Sequence, residues 1–73
     1  MPINMIGWSV VYENQVYKCL LVEPIFDGSG RDKDGFERPV TLRVSVIDHD
    51  ANFIIIDHYA SRFKFLREAP PHE

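Results

Sequence analysis

The sequence predicts an all-β domain, five short antiparallel strands forming a small barrel or a strongly twisted sheet. Three observations carry the prediction. From Val40 to Ile56 the chain reads VTLRVSVIDHDANFIII. Val40, Leu42, Val44 and Val46 alternate there with Thr41, Arg43 and Ser45, the period of a strand with one buried face. Asp48-His49-Asp50-Ala51-Asn52 then reverses the chain with residues that hydrogen-bond their own backbone and tolerate positive φ. Two further apolar runs flank Glu13-Asn14-Gln15 in the same hairpin pattern. Finally, 73 residues with 45% hydrophobic and 12% aromatic side chains suit one folded domain and exclude disorder.

Taken in order, residues 1 to 4 are a lead-in and Met5 to Tyr12 is the first strand. Glu13-Asn14-Gln15 is a turn, and Val16 to Glu23 is the second strand. Parity bounds the turn. A two-residue loop at Asn14-Gln15 sets Tyr12 against Tyr17, Val10 against Cys19 and Trp8 against Leu21, all on one face. A loop at Glu13-Asn14 slides the pairs by two and keeps the same faces together. Gly7 marks a bulge or bend. Pro24, which cannot donate to a ladder, ends or edges the second strand.

Residues 27 to 39, DGSGRDKDGFERP, form one long polar connection with no periodicity, either functional or disordered. The central hairpin follows. Its return arm, Phe53 to Ile56, is apolar on both faces, as in a strand covered on both sides or one with an exposed patch that a partner covers. Asp57 to Ser61 has room for a single helical turn. Arg62 to Arg67 closes the fold with Phe63 and Phe65 inward, Arg62 and Lys64 outward, and Leu66 breaking the outward pattern. Residues 1–67 are thus one domain, and residues 68–73 a flexible tail. Five strands, one long connection and a helical turn before the last strand resemble the order of parts in SH3-like barrels. An OB-type barrel or an open sheet with a shared edge are the competing architectures.

Composition excludes several classes of function. The net charge of −3 gives no strong field toward nucleic acid or anionic lipid. The single cysteine, Cys19, excludes an internal disulfide framework and a cysteine zinc site. The opening MPINMIGW has no signal-peptide pattern and no run reaches membrane-spanning length, so a cytoplasmic protein is expected.

The residue clusters that invite chemistry have simpler readings. Asp48-His49-Asp50 and Asp57-His58 offer metal-ligand types, but His49 and His58 stand at opposite ends of one strand and Asp48 and Asp50 serve the turn. No metal or cofactor is expected. Asp32, Asp34 and Gly35 fit part of a calcium loop, whose first and last carboxylates are missing at Gly30 and Thr41. The glycines of DGSG do not open a helix and lack the lysine of a phosphate loop. Cys19 points at Val10, a packing position, and no serine sits in a nucleophile elbow.

The sequence therefore points to a non-enzymatic interaction module that binds another protein or itself. Trp8, Tyr12, Tyr17, Tyr59 and Leu66 are the candidate partner-binding residues. A weak homodimer, loosened by Leu66→Lys, is the expected assembly. The alternative is a single-stranded nucleic-acid binder that stacks bases on Trp8, Tyr12, Tyr17 and Tyr59, with Arg43, Arg62, Lys64 and Arg67 on phosphate.

Overall fold

A computed structural model describes residues 1–26, 28, 30, 31, 33–36 and 38–67. The chain forms one antiparallel sheet of six strands: β1 (Ile3–Asn4), β2 (Trp8–Tyr12), β3 (Gln15–Ile25), β4 (Thr41–Ile47), β5 (Phe53–Tyr59) and β6 (Lys64–Arg67). A 3₁₀ turn at Ala60–Arg62 precedes β6. The order across the sheet is β5-β4-β3-β2-β6, with β1 pairing β3 beside β2. The all-β class and the helical turn agree with the sequence. The expectation of five strands becomes six, and the sheet stays open rather than closing into a barrel, with β5 and β6 as its edges.

The extra strand, Ile3–Asn4, lies in the stretch expected to be a lead-in, and the strand expected from Met5 begins only at Trp8. Ile3 pairs Val22, while Ser9 pairs Lys18, so residues 5–8 hold two more residues than the partner strand. They form a turn in which the Trp8 N–H donates to the Met5 carbonyl at 3.0 Å. Gly7 takes φ +95° there, a region where a side chain would be strained. The bend expected at Gly7 is thus this turn.

The β2–β3 loop is Glu13-Asn14, both with positive φ (49° and 64°), which is the twist a two-residue hairpin needs. Val10 therefore pairs Tyr17, and Tyr12 pairs Gln15. The Asn14-Gln15 loop and its Tyr12–Tyr17 pair are corrected to this register, on the same face.

Strand β3 departs further from the sequence reading. Cys19 pairs Val46 and Leu21 pairs Ser45, so Leu20 is an extra residue that inverts the alternation. Cys19 and Val22 are both buried, whereas Leu21, expected on the Cys19 face, is 39% exposed. Pro24 does not end the strand but pairs Leu42. It lies past the reach of β1, where β3 has a described neighbour on one side only and no N–H is needed.

The first arm of the central hairpin and its turn match the prediction, while the return strand runs on to Tyr59. Leu42, Val44 and Val46 are buried with Val10, Cys19, Val22 and Phe63. Tyr12, Tyr17, Ile54, Ile56 and Phe65 pack around them. Cys19 is a core thiol, pushed up by burial. In the 48–52 turn, Asp48 Oδ1 accepts the N–H groups of Asp50 and Asn52, both at 2.9 Å. Those bonds, Asn52 first, hold its carboxyl below the usual range.

Strand β5 is covered on one side only, so of the two readings of the return arm the exposed patch holds and the strand buried on both sides does not. It is an edge, and only its even positions face the core. Phe53, Ile55 and Tyr59 are exposed on the other side at 61%, 54% and 57%. In the 27–39 connection the Arg38 N–H donates to the Gly30 carbonyl at 3.1 Å. A Cβ at Gly30 would collide with the Arg38 carbonyl, so glycine is needed at this approach. Residues 27, 29, 32 and 37, and the tail expected at 68–73, lie outside the described residues.

Candidate functional site

Two surfaces carry the residues left over from the core. The first is the outer face of the sheet at its β5 edge. Paired residues share a face, so the ladders place Phe53 beside Ile47, and Ile55 beside Ser45 and then Leu21. Phe53, Ile47, Ile55 and Leu21 thus form a continuous apolar area around Ser45. The next row is charged. Arg43 Nε and Nη2 donate to the two carboxylate oxygens of Asp57 at 3.0 and 3.1 Å, and Nη1 lies 3.6 Å from Glu23. This fork holds the Asp57 carboxyl below the usual range.

Backbone parity defines the edge itself. Asp48 donates to Asn52 and Ala60 donates to Val40, so in this alternating ladder the even-numbered pairs exchange backbone bonds and the odd-numbered pairs do not. Residues 54, 56 and 58 therefore spend their backbone groups on β4. Phe53, Ile55, Asp57 and Tyr59 direct theirs to the open side, where no described strand lies. Tyr59 alone has its N–H taken, by His58 Nδ1 at 2.7 Å.

The second surface is a cleft of about 420 Å³ at the end of the sheet. It lies between the Glu13-Asn14 turn, the end of β5 at His58, and the Ser61-to-Lys64 segment. Strands β5 and β2 are separated by β4 and β3, roughly 14 Å in a flat sheet. Yet the Tyr12 and His58 ring centroids are 5.9 Å apart, so the sheet curls to bring its ends together. Tyr12 also stacks on Phe63 at 5.1 Å. Burial and the neighbouring Glu13 carboxylate push the Tyr12 phenol up.

The five residues singled out in the sequence do not form one site. Trp8, Tyr12 and Tyr17 are half-buried and packed against the core. Arg67 lies over the Trp8 ring at 6.0 Å. Tyr59 stands exposed on β5, and Leu66, 44% exposed, on the opposite edge strand. Phe53, Ile55 and Leu21 were missed as surface residues. Their register against β4, which no sequence pattern states, was the signal required.

Among the described residues no three or more His, Cys, Asp or Glu side chains are grouped to hold a metal ion. None of the described buried residues is polar or charged. No helix among them is long and apolar enough to cross a membrane. No protein-family model matches the chain, and comparison with curated proteins and with solved structures likewise finds no match.

Proposed function

We propose that the chain is a non-enzymatic interaction module that takes a further extended strand onto β5, with a second copy of β5 as the favoured occupant. The observation that supports this reading is the coincidence of two features on the same residues. Phe53 and Ile55 direct free backbone groups to an uncovered edge and hold exposed apolar side chains on the outer face beside it. Backbone pairing supplies affinity in strand addition, and alternate side chains supply selectivity. An antiparallel strand pairs with its own copy about a two-fold axis, so one segment supplies both halves of the contact. Odd residues then meet odd residues, and the apolar area of one chain continues into that of the other.

Amide exchange tests the proposal residue by residue. Concentrating the protein should slow exchange at Ile55 and Asp57 and leave residues 54 and 56 as they were. Sedimentation should show the mass rising above 8.5 kDa at high micromolar concentration. A single-chain mass up to millimolar concentration, with fast exchange at Ile55 throughout, would exclude a second copy as the occupant.

Single-stranded nucleic acid is the weaker reading. The rings it needs at Trp8, Tyr12 and Tyr17 are half-buried, and Arg43 is engaged by Asp57 and Glu23. Oligonucleotide binding that weakens steeply with salt would favour it.

A further inference from the structure

The end cleft has a chemistry that strand addition does not use. Two chain segments line it with hydrogen-bond donors: the turn with the Asn14 amide, and the Ser61-to-Lys64 segment with the Ser61 hydroxyl and the cations of Arg62 and Lys64. His58 adds another. Its Nδ1 accepts the Tyr59 N–H at 2.7 Å, so in the neutral ring the proton sits on Nε2. Neither Arg62 nor Lys64 forms an ion pair with a described residue. The lining holds one acid, Glu13, against the two cations of Arg62 and Lys64, so its balance of charge is positive.

Charge is segregated along the chain in the same sense. Residues 58 to 67, HYASRFKFLR, contain three of the eight Lys and Arg residues and no acid, in a chain whose net charge is −3. Basic side chains on a solvated face are common, but here two of the three, Arg62 and Lys64, line one concave space together with Asn14 and Ser61. The wall is the Tyr12–Phe63 stack, an apolar surface for whatever carries the charged group.

We propose that this cleft binds the phosphate group of a small phosphorylated ligand. Phosphate fits better than carboxylate because the donors come from several directions. A carboxylate offers two oxygens in one plane, whereas a phosphate offers oxygens to a guanidinium fork, an ammonium and a hydroxyl at once. The volume of about 420 Å³ exceeds what the anion alone fills and lies within the range of small-molecule sites. The remaining space, along Tyr12 and Phe63, suits a flat organic group.

The test is a residue-resolved NMR titration of the full chain with inorganic phosphate, phenyl phosphate and benzoate. Phosphate should saturate in the millimolar range with shifts confined to Asn14, His58, Ser61, Arg62 and Lys64. Phenyl phosphate should bind more tightly, and benzoate more weakly than either. Arg62→Gln should weaken phosphate by about tenfold, the scale of one charge-assisted bond. Lys64→Gln should weaken it somewhat less. Both positions are exposed, and an unchanged melting temperature will show that each variant is folded. Shifts spread equally over Lys18, Arg31 and Lys33, or no loss in Arg62→Gln, would overturn the site. Benzoate binding as tightly as phenyl phosphate would overturn the assignment to phosphate.

Discussion

Strands β5 and β6 are both edges of the same sheet, and they are built in opposite ways. β6 is short, Lys64–Arg67, and carries two cations in four residues. Its inner side is anchored by Phe63 and Phe65, whose rings lie 6.2 Å apart, with Tyr12 stacked on Phe63. β5 has seven residues, FIIIDHY, and its single acid is tied to Arg43. Short length and lysine are the usual protections of an edge, and β6 has both while β5 has neither. One edge is closed to further pairing, and the other presents a flat apolar row. That asymmetry, rather than the amount of exposed apolar surface, is what favours β5 over β6 in the proposed interaction.

The largest test of this contrast is in the β6 anchor. Phe63 is 8% exposed and touches both Tyr12 and Phe65. Phe63→Ala should cost about 3–5 kcal/mol, comparable to the whole stability of so small a domain. The variant should be largely unfolded by circular dichroism at room temperature. Native-like melting would mean that β6 is held by its ladder rather than by this ring. Lys64→Ala, one residue on and facing outward, should stay within about half a kcal/mol.

Much of this contrast could be read in the sequence and part of it could not. The alternation at Phe63, Lys64, Phe65 and Leu66 states which side of β6 is inside, because both apolar side chains share one parity. The same rule fails at Phe53-Ile54-Ile55-Ile56. A run that is apolar on both faces reads identically whether its outer side is covered or open, and only the position of β5 at the sheet edge decides. The bulge at Leu20 was silent for a related reason. Lys18-Cys19-Leu20-Leu21-Val22 has no glycine or proline to mark an inversion, and Leu21 and Val22 are equally apolar. Of the residues lining the end cleft, the sequence offers Arg62 and Lys64 only as backbone contacts of a nucleic acid, and His58 only as a metal ligand too far from His49 to share an ion. Nothing local says that the sheet curls to bring His58 beside Tyr12.

The second test exchanges one apolar side chain on each edge for a cation. Ile55→Lys should leave the melting temperature nearly unchanged, because the side chain is 54% exposed. It should weaken self-association by about tenfold or more, since a lysine on an open edge opposes pairing. Leu66→Lys adds a cation to an edge that already has two. Its dimer dissociation constant should move by no more than about twofold, within the scatter of surface substitutions. Sedimentation of both variants beside the parent protein decides between the edges. The reverse ranking would move the interface to β6, as the outward Leu66 alone suggests.

The smallest effect separates the edges by how each is tied to the sheet from outside. β5 is held at its middle by the Arg43–Asp57 fork, while β6 has Arg67 over the Trp8 ring, with no carboxylate in the contact. Arg43 lowers the Asp57 pKa in the folded chain, relative to about 3.9 when unfolded. A depressed folded-state pKa gives stability that is complete above the unfolded value and is lost as pH falls through the folded one. Acid should therefore loosen β5 first. The pair is solvent-exposed, so the change will be modest. Arg43→Met should be slightly less stable than the parent at neutral pH, and the gap should close below about pH 4 as Asp57 protonates. Amide exchange should show the same order, with residues 54 and 56 losing protection in acid before Phe65. A stability gap that persisted unchanged into strong acid would mean that Arg43 acts through the packing of its stem. The two edges would then not differ in their response to pH.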